Sequence, residues 1–205
     1  MKGFARREFQ LVLLRRMADY QPALAEEAVR SLGSSRTEMR EVNARWQRMV
    51  RSRSFPDARR RLGAVLGPPS EVAERRLGDV VCTVERWPLS LWPDLRYEAV
   101  TGPGGTVVQE WLVRAVDSPV PELAGVDDLV PWSCVVGDLD VRFGGGGGGG
   151  DGGPGGKGGR TVRHQPGEAP SRWHVTFTTG DDGDGAGGTY VAHFVWGLLQ
   201  EVVAV

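Results

Sequence analysis

The chain of 205 residues contains no isoleucine, one asparagine (Asn43) and two lysines (Lys2 and Lys157). These amino acids share AT-rich codons, so their scarcity is a mark of a GC-rich genome. Arginine therefore carries nearly all the positive charge by default, and its abundance is no sign of selection for guanidinium chemistry. Two cysteines, Cys82 and Cys134, are too few for the disulfide framework of a small secreted domain. A reduced, cytoplasmic protein is expected. No run of 18 apolar residues occurs, which excludes a hydrophobic helix across a membrane. The stretch "MKGFARREFQLVLLRRM" places basic residues before an apolar patch, but "LVLL" is too short for a signal h-region. There is no CxxC, no HxH, no G-x-S-x-G and no H-E-x-x-H, so no motif announces a metal or a nucleophile.

What is present suffices for a folded core. Hydrophobic residues make up 40% of the chain and seven of them are tryptophans, which argues against global disorder. The net charge of −1 hides an asymmetry. Residues 1–76 hold 17 Arg/Lys and 9 Asp/Glu, a balance of +8, whereas residues 77–205 hold 8 and 17, a balance of −9. A basic half of this kind suits an anionic partner or attraction to the acidic half of the same chain.

The first third reads as helices. Phe9, Leu13 and Met17 recur every four residues over 6–19. Pro22 can open a second helix, lined by Leu24, Ala28 and Leu32 and stopped at Gly33. Ser35 and Glu38 form an S-x-x-E capping box for a third, with Met39, Val42, Trp46 and Met49 on one face. A fourth runs over about 56–66. Beyond Leu77 the pattern alternates. "DVVCTVERW" reads as a strand, and "LRYEAV" and "TVVQEWLV" flank "TGPGG" as a hairpin burying Tyr97, Val107, Trp111 and Val113. The prolines of "WPLSLWP" suit an edge or a kinked crossing. Pro131 fits a helix start, although Val135, Val136 and Val141 fit a strand. Residues 144–170 are dominated by glycine and are expected to be a disordered insertion. Trp173, Val175 and Phe177 then alternate, as do Tyr190, Ala192, Phe194 and Trp196, with a bulge expected at Gly197.

The fold class expected is α+β: an N-terminal three- or four-helix bundle followed by a mostly antiparallel β-sheet carrying the Gly-rich insertion. The expected boundaries are a basic helical module at 1–67, a linker at 68–78 and an acidic β-rich domain at 79–205.

Several stretches invite functional readings. An imperfect helix-turn-helix covers 22–50, with Gly33, Met39 and Val42 well placed and Arg36, Arg40 and Arg45 as candidate nucleic-acid contacts. Val29 stands where a small residue is wanted, Ser34 follows the turn glycine where an apolar one is usual, and Glu38 and Glu41 would repel phosphates. A plain helical hairpin is the simpler reading. "GGPGGKGG" fails as a P-loop, since Asp151 and Gly158 occupy the glycine and hydroxyl positions around Lys157. "DDGDGAGG" offers Asp182 and Asp184 to a calcium loop, yet Ala186 and His193 fall on two ligand positions. His174 and His193 can share a strand face, and a zinc site would need Cys82 or Cys134 beside them. Trp87 and Trp92, held by prolines, are candidate partner-binding residues on an exposed aromatic edge.

The preferred functional class is a soluble, non-enzymatic binding or regulatory protein that meets an unidentified protein or small ligand through its sheet. A DNA-binding regulator with a C-terminal sensor or interaction domain is the alternative, and an enzyme without a recognisable catalytic motif is the third. Neither a cofactor nor a metal nor a membrane partner is expected, and no catalytic set can be named.

Overall fold

A computed structural model describes residues 4–52, 57–144, 162–167, 171–179 and 187–205. The chain forms two compact units, Met1–Ala115 and Val116–Val205. The division falls later than the 67/79 boundary read from the sequence. Residues 68–78, expected as a linker, carry the first strand, and the helices are packed onto the sheet that follows them.

The first unit begins with α1 (Arg6–Met17), α2 (Pro22–Ser31), α3 (Arg36–Arg51) and α4 (Ala58–Leu66). Their termini follow from local chemistry. Gly33, at φ 62°, turns the chain out of α2, with the Ser34 amide donating to the Val29 carbonyl at 3.0 Å. Ser35 caps α3 by accepting from the Glu38 amide at 3.1 Å, and Asp57 caps α4 by accepting from Arg60 at 2.9 Å. The Glu38 carboxylate does not complete the expected box, because it is drawn to Arg7 at 2.8 Å.

The strands β1 (Glu71–Leu77), β2 (Val80–Leu89), β3 (Trp92–Thr101) and β4 (Val107–Arg114) form an antiparallel meander in the order β1-β2-β3-β4. Register assigns the faces. Trp87 lies opposite Tyr97, and Tyr97 opposite Leu112, so these three share the face under the helices. Phe9 of α1 meets Tyr97 edge-on at 4.8 Å and Trp46 at 5.7 Å. Trp111 lies opposite Glu98, on the other face from Tyr97. This corrects the expectation that Tyr97 and Trp111 are buried together. Both parities of "VVQEWLV" hold apolar residues, and alternation alone selected the wrong one. The "WPLSLWP" stretch is a hairpin at the centre of the sheet, not an edge; the prolines are tolerated because the register breaks between Pro88 and Leu89.

The second unit holds α5 (Val136–Phe143) and a separate antiparallel meander of β5 (Val162–Pro166), β6 (Arg172–Thr178), β7 (Thr189–Val195) and β8 (Leu198–Ala204). There are thus two four-stranded sheets where one was expected, and β5 falls inside the expected 144–170 insertion; the rest of that stretch, apart from Gly144 and Gly167, lies outside the described residues. Pro131 does not start a helix; α5 begins at Val136. Phe177, fully buried, packs on Phe143 of α5 at 4.7 Å and on Tyr190 at 5.7 Å. Trp196 and Gly197, at φ 52° and 76°, make the two-residue turn between β7 and β8. Trp196 is therefore a turn residue rather than a fourth member of the Tyr190–Phe194 row, and the register break sits at His193/Phe194, not at Gly197.

Candidate binding surfaces

The sheet of the first unit has two faces, one under the helices and one opposite, and two open edges, along β1 and along β4. Under the helices, charge is neutralised internally. Glu85, 7% exposed, accepts a fork from Arg59 of α4 at 2.9 and 3.0 Å. Burial pushes the Glu110 carboxyl up, and burial with Glu110 nearby pushes the Tyr97 phenol well up. The predicted partner-binding Trp87 belongs here. It is 1% exposed and its indole donates to the Gly67 carbonyl at 2.9 Å, so it anchors the end of α4 and presents nothing to a partner. Trp92, at the start of β3, is half-buried.

On the opposite face, Glu71, Arg86, Glu98 and Trp111 stand in one row across the four strands. Glu98 is fully buried, yet every lone-pair direction is used. It accepts from Arg75 at 3.0 and 3.1 Å, from Arg86 at 2.8 Å and from the Trp111 indole at 3.2 Å. Arg86 also donates to Glu71 at 3.0 Å. Beside this row, Cys82, Val84 and Val100 form a small buried apolar cluster. A carboxylate so saturated is a structural charge that ties β1, β2 and β3 in register, and it has no free lone pair for a ligand. Sequence reasoning missed it because a lone Glu in a strand normally marks the solvent side.

The open side of β1 differs. No strand pairs with it among the described residues. Val72 (63% exposed) lies near one end of this strand, and Leu77 (41%) lies at the other end on the opposite face, beside Val80 (42%) and Val81 (47%) of β2. Leu77 and Val80 flank the turn at Gly78 and Asp79, with Gly78 at φ 57°. Glu74 and Arg76 are exposed and enter no ion pair among the described residues.

Of the predicted nucleic-acid contacts, Arg36 faces Glu26 at 3.6 Å, and the Arg45 guanidinium lies over the Phe4 ring at 5.1 Å. Arg40 is exposed. The turn before α3 is locked from α1. Arg7 donates to the Leu32 carbonyl at 3.0 Å, to that of Gly33 at 3.1 Å and to both Glu38 oxygens at 2.8 and 3.2 Å. Hydrogen bonds from Arg7 and then Ser34 hold the Glu38 carboxyl down, to about 2. The Ser34 that departs from the helix-turn-helix pattern is thus part of an intramolecular clamp.

In the second unit His174 and His193 lie directly opposite each other, ring centroids 4.5 Å apart, as the alternation predicts. Cys134 is buried elsewhere in that unit and Cys82 belongs to the other, and among the described residues no group of three or more His, Cys, Asp or Glu could hold a metal ion. The P-loop-like stretch around Lys157 and the Asp182–Asp184 pair lie outside the described residues. Among the described residues no helix is long and apolar enough to cross a membrane.

No protein-family model matches the chain, and no curated protein does. One solved structure is similar over 74% of this chain and 84% of its own: the crystal structure described as a "putative beta-lactamase inhibitor protein" from Streptococcus mutans. Identity is 12% and the TM-score 0.28, a likeness too low to carry an argument about fold or function.

Proposed function

We propose that the chain is a protein-binding module whose first sheet accepts a partner along the open side of β1. One observation carries this reading. An edge strand presents a row of unpaired amides and carbonyls, and here two exposed aliphatic side chains of that strand, Val72 and Leu77, one on each face, accompany the row, with Val80 and Val81 exposed on β2 beside it. Backbone pairing supplies affinity in such an arrangement, and the alternate side chains supply selectivity. The two tryptophans expected to form the contact contribute less: Trp87 is a core residue, and Trp92 remains a half-buried neighbour on β3.

A photoreactive p-benzoylphenylalanine at position 72, irradiated in the native cell, should yield a discrete protein adduct. The same group at position 27, exposed on α2, should yield none. Equal labelling at both positions, or no adduct at either, would remove the support for β1 as the binding edge. The DNA-binding reading is separable by salt. Phosphate contacts through Arg40 and its neighbours would make duplex affinity fall steeply between low and moderate ionic strength, and absent or salt-independent binding rejects it.

A further inference from the structure

The occupant of the β1 edge is open to identification by register. We infer that β1 pairs antiparallel with β1 of a second copy of this chain, joining two four-stranded sheets into one of eight. The inference rests on the edge-binding reading and names the partner.

Two identical strands pair antiparallel about a dyad perpendicular to the sheet, so one residue must lie opposite itself. The sequence "EVAERRL" of β1 gives three central registers. Centring on Ala73 sets Val72 against Glu74 of the partner subunit, an apolar–charged mismatch made twice. Centring on Glu74 opposes two free carboxylates, which is destabilising. Centring on Arg75 places Glu74 opposite the partner's Arg76, and by symmetry Arg76 opposite the partner's Glu74. It also places Ala73 opposite the partner's Leu77, again twice. The central Arg75 pair carries little repulsion, because each guanidinium is held by its own Glu98 at 3.0 and 3.1 Å.

Backbone direction is compatible with all three registers and sets which opposed pairs are hydrogen-bonded. Leu77 and Val80 close a two-residue turn, so the odd-numbered residues of β1 exchange hydrogen bonds with β2. Val72, Glu74 and Arg76 then aim their amides and carbonyls outward. In the register centred on Arg75, Glu74 and the partner's Arg76 are a hydrogen-bonded pair, so each charge match lies on a pair of ladder bonds. The side chains concerned are exposed and uncommitted: Glu74 and Arg76 have no ion-pair partner among the described residues, and Leu77 is 41% exposed. One strand pair is small for an interface, which places the association in the micromolar range or weaker, on the order expected of transient contacts.

Sedimentation velocity of the full chain from about 1 µM to about 1 mM, a range bracketing that affinity, should show a monomer–dimer equilibrium. Glu74→Arg and Arg76→Glu should each weaken it by at least about tenfold, since the dyad doubles every opposed pair. The Glu74→Arg/Arg76→Glu double variant should recover dimerisation, because the pairs are then restored with reversed polarity. Circular dichroism of the variants, all at exposed positions, checks that the fold is retained. A wild-type chain monomeric throughout, single variants that dimerise like wild type, or a double variant that does not recover would each overturn self-pairing. In that event a position-72 adduct to a different protein would leave the edge-binding reading standing, whereas absence of any adduct would remove both.

Discussion

At the scale of single residues, the first unit depends on charges whose partners are supplied from other strands or helices. Glu98 is the clearest case. Replacing it by Gln removes the charge that balances Arg75 and Arg86 while keeping the shape, and leaves donors crowded around an amide. Breaking a buried pair from one side is destabilising by roughly 3–5 kcal/mol. Both guanidiniums keep some solvent access, so the lower end, about 3 kcal/mol, is expected for Glu98→Gln in urea unfolding. Arg7 allows a gentler test. Its fork and the Ser34 hydroxyl hold the Glu38 carboxyl at about 2. In Arg7→Ala the carboxyl should return toward its ordinary 4.5, which an NMR titration of Glu38 would show directly.

Elements show why some of this was legible in the sequence and some was not. α1 and α3 could be read because Phe9, Leu13, Met17, Met39 and Trp46 are buried at helical spacing, although α1 is buried on nearly every side from Phe9 to Leu14. In α2 the buried residues are Ala25 and Val29, while the expected row Leu24, Ala28 and Leu32 is half-buried, and Gly33 and Ser35 still punctuate its end. Ser35→Ala should lower stability by about 1 kcal/mol, the usual worth of an N-cap, measurable as a shift of the urea midpoint. β1 was unreadable for the converse reason. A strand uncovered on its outer side has little buried side chain to record a period, and Glu71–Leu77 looks like a charged connector. The candidate surface was hidden with it. Trp111 misled because its indole serves a buried carboxylate instead of the core under the helices, and Trp87 because a flanking proline suggests an edge where the structure has an irregular central hairpin.

On the scale of the whole molecule, the pH response should differ between groups within the second unit. His164 donates its Nε2 proton to the Asp140 carboxylate at 2.8 Å, and that hydrogen bond raises its pKa above the ordinary 6.5. Its contribution to stability is complete below pH 6.5 and fades as pH rises through the raised value. His193 behaves oppositely. Burial first, then the His174 ring, lowers its pKa, so its contribution is complete above pH 6.5 and fades as pH falls through the lowered value. Two-dimensional NMR should find His164 titrating above His193, and Asp140→Asn should bring only the former back toward 6.5. The division at Ala115 makes a further prediction: residues 1–115 produced alone should unfold in one cooperative transition, since that unit holds its own helices, sheet and buried ion row.

The two meanders carry a consequence for the newborn chain. In each, every strand pairs with its immediate successor, so no strand must wait for a distant segment. All four ribbons of the earlier unit have been synthesised once residue 115 has cleared the ribosomal exit, before the unit at 116–205 is complete. Synthesis from one end to the other can therefore finish one body and then the next, and the open flank of β1 is on offer to a neighbouring nascent chain on the same messenger.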